Sequence, residues 1–159
     1  MGNIKILISF ILIGFVLSCG GGPEKSTTNS ESTPAEVKST ESYDPNRGEG
    51  KYNEENLALE PTLNATMADL GDKAQGVKCA SCHKLSDERL VGPGWKGVTE
   101  RRKAVWLMNF ITNPDPMIDK DPELQAQLEL CLVRMPNQSL SDDEARNILE
   151  FMRKNDGVK

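Results

Sequence analysis

Residues 79–83 read Cys79-Ala80-Ser81-Cys82-His83, and they carry the strongest signal in the chain. Two thiols separated by two residues and followed at once by an imidazole form the C-x-x-C-H pattern of covalent haem attachment. In that chemistry the two sulfurs add across the vinyl groups of the porphyrin, and the histidine nitrogen binds the iron. His83 is the only histidine of the sequence, so the sixth iron ligand is another residue type or is absent.

Two other chemistries use the same residue types. A structural zinc site needs four Cys or His ligands, and only Cys131 remains near the motif. A thioredoxin-like redox pair lies in a βαβ unit, whereas the sequence on both sides of this motif has a helical pattern. A chance match at a surface turn is the remaining alternative. We therefore predict one covalently bound haem c, held by Cys79 and Cys82, with His83 as an iron ligand.

The composition sets limits on the rest of the chain. A length of 159 residues allows one domain plus additional segments. The net charge of −5 argues against nucleic acid as a partner. Aromatic residues make up only 5% of the chain, and a buried porphyrin would supply apolar surface around which a small domain can close.

The first residues have the pattern of an export signal. Lys5 provides a positive start, and residues 6–17 are mostly apolar but too few to span a bilayer as a stable helix. The sequence Val16-Leu17-Ser18-Cys19-Gly20 resembles the bacterial lipobox, in which the cysteine is lipidated and becomes the new N-terminus. We predict a signal peptide over residues 1–18, a lipid on Cys19, and a location on the periplasmic side of a bacterial membrane. A secretory signal with an incidental cysteine is the alternative.

Residues 20–56 are rich in Gly, Ser, Thr, Glu, Pro and Lys and poor in large apolar residues. Such a segment buries too little surface to offset its ordering entropy. We predict a lipid-anchored flexible linker over residues 19–61 and a folded domain over residues 62–159. The linker would let the domain leave the membrane surface, or would only fill the space between them.

The folded part has a helical pattern throughout, which predicts an all-α fold of about four helices. The expected helices cover residues 66–78, residues 99–112 after an N-cap at Thr99, a short helix starting at Asp121-Pro122, and a last helix starting at the capping box Ser141 to Glu144. The pair Asn113-Pro114 is expected to end the second helix. No stretch alternates well enough to predict a strand.

The sixth ligand is sought among the methionines of the folded part. Met67, Met108 and Met152 lie on predicted helix faces, where core packing is the usual role. Met135 and Met117 lie in predicted loops, from which a thioether can reach across a pocket. Met135 is favoured because Pro136 fixes the backbone beside it and the last helix follows.

Cys131 is the one cysteine without a predicted covalent role. Its neighbours Leu130, Leu132 and Val133 favour a buried inert thiol, with dimerisation or service as an alternative iron ligand as the other roles.

Over residues 71–153 the chain resembles the class I monohaem c-type cytochromes. Gly71 lies eight residues before Cys79, where the family has a glycine in its first helix, and Phe151 lies where the last helix has an aromatic residue. The resemblance implies that these two helices cross closely, with the ring over the glycine. The chain departs from the family at Gln75, four residues before Cys79, where an aromatic residue is usual.

The resemblance also implies two further contacts of the cofactor. Gly92-Pro93 is similar to the family's loop whose proline carbonyl accepts the other N–H of the ligating histidine, the alternative being a plain turn. Trp106 resembles the family's haem-contacting tryptophan, whose indole N–H bonds a propionate, the alternative being ordinary core packing.

These features predict a lipid-anchored one-electron carrier that serves redox protein partners and has no small-molecule substrate. A narrower likeness, through Met135-Pro136-Asn137, is to membrane-anchored cytochromes that feed periplasmic terminal reductases, including nitrous oxide reductase. Basic residues are expected to ring the haem edge and steer an acidic partner, or else to form a solvated surface: Lys73, Lys78, Lys84, Arg89, Lys96, Arg101, Arg102 and Lys103. A haem peroxidase or gas sensor would need an open iron position, and a thiol oxidoreductase would carry no covalent haem.

Overall fold

The computed structural model describes residues 43–159, so the predicted signal peptide, Cys19 and the first part of the predicted linker lie outside the described residues. The helices are α1 (Ala65–Lys78), α2 (Val98–Arg101), α3 (Ala104–Thr112), α4 (Pro114–Ile118), α5 (Pro122–Cys131) and α6 (Asp142–Asn155). Across these residues the only extended pairing is an isolated bridge between His83 and Arg89, and the predicted all-α fold is confirmed. No helix in this part of the chain is both long and apolar enough to cross a bilayer.

The two long helices, α1 and α6, begin at side-chain caps that satisfy their free backbone amides. Asn64 accepts a hydrogen bond from the Met67 amide and starts α1 one residue earlier than predicted. Ser141 and Glu144 form the predicted capping box of α6, and the first turn of that helix carries acidic residues that suit its positive end.

The predicted close crossing of α1 and α6 is present. A Cβ atom at Gly71 would lie 2.0 Å from the carbonyl oxygen of Asn147 and 2.9 Å from the Cβ of Phe151. Only a residue without a side chain allows the two backbones to approach this closely. The crossing brings the N-terminal and C-terminal helices of the domain together ahead of the Cys79 turn.

The predicted helix over residues 99–112 is wrong as a single element. Thr99 lies inside the short helix α2, whose N-cap is Gly97 in the left-handed region with φ of 73°. The carboxylate of Asp156 accepts hydrogen bonds from the amides of Gly97 (2.6 Å) and Thr99 (2.9 Å). The cap therefore comes from a residue far along the chain, which the local sequence does not reveal.

The backbone then turns to an extended conformation at Arg102, and a separate helix, α3, begins at Ala104. The end of α3 before Asn113-Pro114 is as predicted, but Pro114 also begins α4. Asp121 caps α5 as the sequence predicts, accepting from the amides of its first turn.

The predicted linker boundary is wrong for residues 43–61, which we call the clasp segment. Tyr52 and Leu57 of this segment are buried in the core. The fully buried Asn109 accepts a hydrogen bond from the Tyr52 amide (2.9 Å) and donates to the carbonyls of Tyr52 and Arg47 (3.0 Å each). A polar segment is thus held by side chains more than 50 residues away in sequence, and the folded domain includes it.

Candidate haem-binding site

A mainly apolar cavity of about 380 Å³ lies among α1, α3, α5 and α6, within the size range of small-molecule sites. Cys79, Cys82 and His83 of the motif all line this cavity, and so does Met135 from the loop before α6. Backbone hydrogen bonds from the Cys82 and His83 amides to the Cys79 carbonyl, both 3.0 Å, fold the motif into a tight turn. Burial raises the pKa of the Cys79 thiol to about 11.

The imidazole of His83 is oriented for iron binding. Its Nδ1 lies 2.8 Å from the carbonyl oxygen of Pro93, so the predicted hydrogen bond is present. With Nδ1–H donating to that carbonyl, Nε2 is the nitrogen left for a metal. Burial lowers the pKa of His83 despite an opposing effect of the bond to Pro93, which favours the neutral imidazole that a metal requires.

Two further residues fix the plane of this ring. A Cβ atom at Gly92 would lie 2.4 Å from Cε1 of His83, so the loop passes directly against the imidazole. The buried ring of Trp95 lies 5.8 Å from the imidazole, centroid to centroid, and is tilted by 40°. Trp95 is not among the residues predicted from sequence, although an aromatic residue directly after Gly92-Pro93-Gly94 was a usable signal.

Met135 and Met117, the two loop candidates for the sixth ligand, occupy different places. Met135 is half-buried and lines the cavity. Met117 is fully buried in the core, and its Cε lies 2.3 Å from the position of a Cβ at Gly48. Met117 is not among the cavity-lining residues, whereas Met152 lines the cavity from the buried face of α6.

The loop that carries Met135 is tied to α4. The guanidinium of Arg134 donates to the carboxylates of Asp115 and Asp119, at 2.8 Å each. Because Arg134 directly precedes Met135, these contacts fix where the thioether enters the cavity.

The indole N–H of Trp106, predicted to bond a propionate, has a protein acceptor in this structure. Its indole Nε1 donates to the carboxylate of Asp121, 3.3 Å away, so the N–H is already used. The ring still lines the cavity, stacked on Phe110 at 4.9 Å, with the Arg102 guanidinium 4.2 Å from its centroid. Arg101, a cavity-lining cation with no ion pair within residues 43–159, suits an anionic propionate better.

Cys131 is half-exposed at the cavity. The sequence predicts a buried thiol, so this prediction is wrong. Cys131 is the last residue of α5, and Leu132 follows in the left-handed region with φ of 58°. This turn leaves Leu130, Leu132 and Val133 exposed by 66%, 84% and 53%. The apolar neighbours that suggested burial therefore face outwards.

Half of the basic residues proposed to ring the cofactor are neutralised by local ion pairs. Glu88 pairs with Lys84 (2.7 Å), Glu123 with Arg102 (2.6 Å), Glu144 with Lys78 (3.6 Å) and Glu54 with Lys103 (4.0 Å). The remaining four, Lys73, Arg89, Lys96 and Arg101, have no ion pair within residues 43–159. The positive surface is thus weaker than the sequence suggests.

The donor set fits a haem and does not fit zinc. The apolar walls, the two thiols, the imidazole with Nε2 available and the thioether are the groups that a covalently attached porphyrin needs. Within the described residues no cluster of three or more Cys, His, Asp and Glu side chains could hold a metal ion.

Comparison with known proteins agrees with this geometry. A family model for cytochrome c matches residues 68–156. A cytochrome c from Rhodothermus marinus is 34% identical over 63% of this chain and 85% of its own, with a TM-score of 0.60. An engineered cytochrome c from the same organism, Rma TDE, is 31% identical over 71% of this chain and 98% of its own, with a TM-score of 0.63. The same engineered protein bound to a carbene intermediate gives a TM-score of 0.60. No curated protein sequence matches the chain.

Proposed function

Because the chain belongs to the cytochrome c family, we propose that it is a one-electron carrier, anchored by lipid on the periplasmic side of a bacterial membrane. A domain of this family carries one covalently bound haem c. The observation that supports the carrier function is the arrangement of one cavity, in which Cys79, Cys82, His83 and Met135 all take part.

When bound, the haem supplies exchange of one electron between the ferrous and ferric states. Cys79 and Cys82 would hold it covalently, and Nε2 of His83 and the sulfur of Met135 would bind the iron. With both ligands bound, the iron would have no position for a substrate, and a thioether ligand together with apolar walls would favour a high reduction potential.

The assignment of Met135 predicts a specific loss. In Met135→Ala the visible absorption band of the Met–Fe(III) bond should vanish, the reduction potential should fall, and carbon monoxide should bind the ferrous protein. Met117→Ala is the matched control: it removes a fully buried side chain that does not line the cavity, so it should cost about 2–5 kcal/mol of stability and keep the band. Loss of the band in Met117→Ala with retention in Met135→Ala would contradict the assignment.

The partner of this carrier is proposed to be a redox protein, such as a terminal reductase or oxidase, that docks beside the cavity. Apolar side chains are exposed there on three segments: Val77 by 84%, Leu90 by 50%, and Leu130, Leu132 and Val133 by more than half each. Val77 and Val133 also line the cavity. A cluster of exposed apolar side chains marks an interaction surface.

The proposed lipid anchor is supported by the sequence Val16-Leu17-Ser18-Cys19-Gly20. Cys19→Ser removes the only sulfur available for lipid at this site, so the protein should leave the membrane fraction or retain its signal peptide. Fractionation followed by mass measurement of the mature chain checks this. Equal membrane partitioning of the variant and the natural protein would refute the anchor.

A further inference from the structure

Asp121 joins the clasp segment to the wall of the haem cavity. This carboxylate is only 1% exposed. Its Oδ2 accepts hydrogen bonds from the hydroxyl of Tyr43 (2.7 Å) and from the indole of Trp106 (3.3 Å), a residue of the cavity wall. Its Oδ1 accepts from the first amides of α5, the nearer at 2.9 Å. One side chain therefore contacts the clasp, the wall and the start of a helix.

The helix that Asp121 caps leads directly to the proposed iron ligand. α5 contributes Leu124 and Leu128 to the cavity, and the loop that follows it carries Met135. On the α4 side, the backbone amide of Asp121 donates to the Met117 carbonyl at 2.8 Å. Because Met117 belongs to α4, to which the Met135 loop is also tied, Asp121 sits where α4 and α5 meet.

The clasp segment packs on the same wall at a second point. Gly48 has a φ of 72°, and a Cβ atom there would lie 2.3 Å from Cε of Met117 and 3.3 Å from Cδ1 of Trp106. The segment thus approaches Trp106 both through Gly48 and through the Tyr43–Asp121 bond. Removal of the clasp segment would uncover the outer side of the cavity wall at Trp106.

We propose that Asp121 is a positioning residue for the sixth iron ligand, and that the Tyr43 hydroxyl of the clasp segment holds it in place. This inference rests on the proposed function, since it takes Met135 as that ligand. A buried carboxylate that loses one of its donors is less well satisfied. The start of α5 then opens more often, and the Met135 loop with it.

Tyr43→Phe in the haem-loaded protein tests this, with added imidazole as a competitor for the sixth position. Loss of a hydrogen bond to a charged group should tighten imidazole binding on the order of tenfold. The reduction potential should fall, and amide exchange should quicken in the first turn of α5. Tyr52→Phe is the matched control, because Tyr52 is a second tyrosine of the clasp segment and its hydroxyl is not among the donors to Asp121. It should leave all three measurements unchanged.

Asp121→Asn provides a second test that keeps the helix cap, because asparagine is an equally good N-cap. It presents an N–H or a weaker acceptor to Trp106 and Tyr43, so imidazole binding should again tighten. Binding within twofold of the natural protein in both variants would overturn the inference, as would an equal effect of Tyr52→Phe. If Met135→Ala itself leaves imidazole binding unchanged, Met135 is not the sixth ligand and the proposed function fails at that point. Unchanged binding in Tyr43→Phe and Asp121→Asn, with altered binding in Met135→Ala, contradicts only the role of Asp121.

Discussion

At the scale of single residues, the orientation of His83 depends on a short loop close to it in sequence. The Pro93 carbonyl lies ten residues on and accepts from Nδ1, and Gly92 lies against the ring itself. Fixing the second nitrogen in this way sets the tautomer and the ring plane before iron is bound. The ligand geometry is thus largely encoded within one loop.

Gly92→Ala should disturb that geometry directly. The added methyl group would lie 2.4 Å from Cε1 of His83, so the imidazole or the loop must shift. Overpacking of this kind costs roughly 1–3 kcal/mol, and the reduction potential and the ferric paramagnetic resonance spectrum should both change. Pro93→Ala is the control, because it keeps the carbonyl acceptor. Unaltered spectra in Gly92→Ala would show that the loop does not constrain the ring.

The sequence predicts the Pro93 contact but not the roles of Trp95 or Asp121. A motif with fixed spacing identifies Cys79, Cys82 and His83, because covalent attachment demands those residue types side by side. The partner of the Trp106 indole is 15 residues away, and the Tyr43 partner of Asp121 is 78 residues away. Such pairs follow from the tertiary fold, which local patterns do not contain.

At the scale of helices, local signals succeed where a cap lies next to the helix that it starts. The N-cap side chains of Asn64, Asp121 and Ser141 each accept from amides within three residues, and α1, α5 and α6 begin there. The predicted helix over residues 99–112 fails because its cap comes from Asp156. A helix cap that comes from a residue distant in sequence cannot be predicted from the residues beside the helix.

Two glycines in α1 should respond oppositely to alanine. A Cβ atom at Gly71 would lie 2.0 Å from the Asn147 carbonyl oxygen, so Gly71→Ala should force α1 and α6 apart and cost roughly 2–4 kcal/mol. Nothing lies within 4 Å of a Cβ at Gly76, so Gly76→Ala should stabilise the helix by roughly 0.5–1 kcal/mol. Denaturant titration of both variants measures the difference. Equal midpoints would contradict the close crossing.

At the scale of the whole molecule, α6 holds the clasp segment through a buried charge network. The Glu150 carboxylate, 1% exposed, accepts from the guanidinium groups of Arg146 (2.6 Å) and Arg153 (2.7 Å). Arg153 also donates to the carbonyls of Glu60 (2.7 Å) and Pro61 (3.1 Å). Composition alone assigns residues 43–61 to a linker because it cannot show these distant partners.

This network predicts how stability depends on pH. Burial raises the pKa of Glu150, but the bonds from Arg146 and Arg153 outweigh it, and the pKa lies below its usual value near 4.5. The folded state therefore binds the proton less readily than the unfolded chain does. The stabilisation is complete above the usual pKa and is lost as the pH falls through the lowered one.

Glu150→Gln should accordingly destabilise the protein most at neutral pH. It leaves Arg153 buried without its carboxylate, which costs roughly 3–5 kcal/mol. The difference from the natural protein should shrink as the pH falls below about 4, as seen in melting temperatures across a pH series. The control is Asp69→Asn, an exposed carboxylate paired with Lys154, which should shift the melting temperature little at any pH. A deficit for Glu150→Gln that stays constant with pH would contradict the network.

The tilted rings of His83, Trp95 and Phe151 form a row, with successive centroids 5.8 and 6.3 Å apart, that ends at the helix crossing over Gly71. Haem binding, seen as colour, and thermal stability consequently depend on the same row of side chains. A mutant library screened by eye for red colonies would therefore also be sorted for tight contact between the first and last helices. Variants that bleach would include many whose only defect lies at that distant contact.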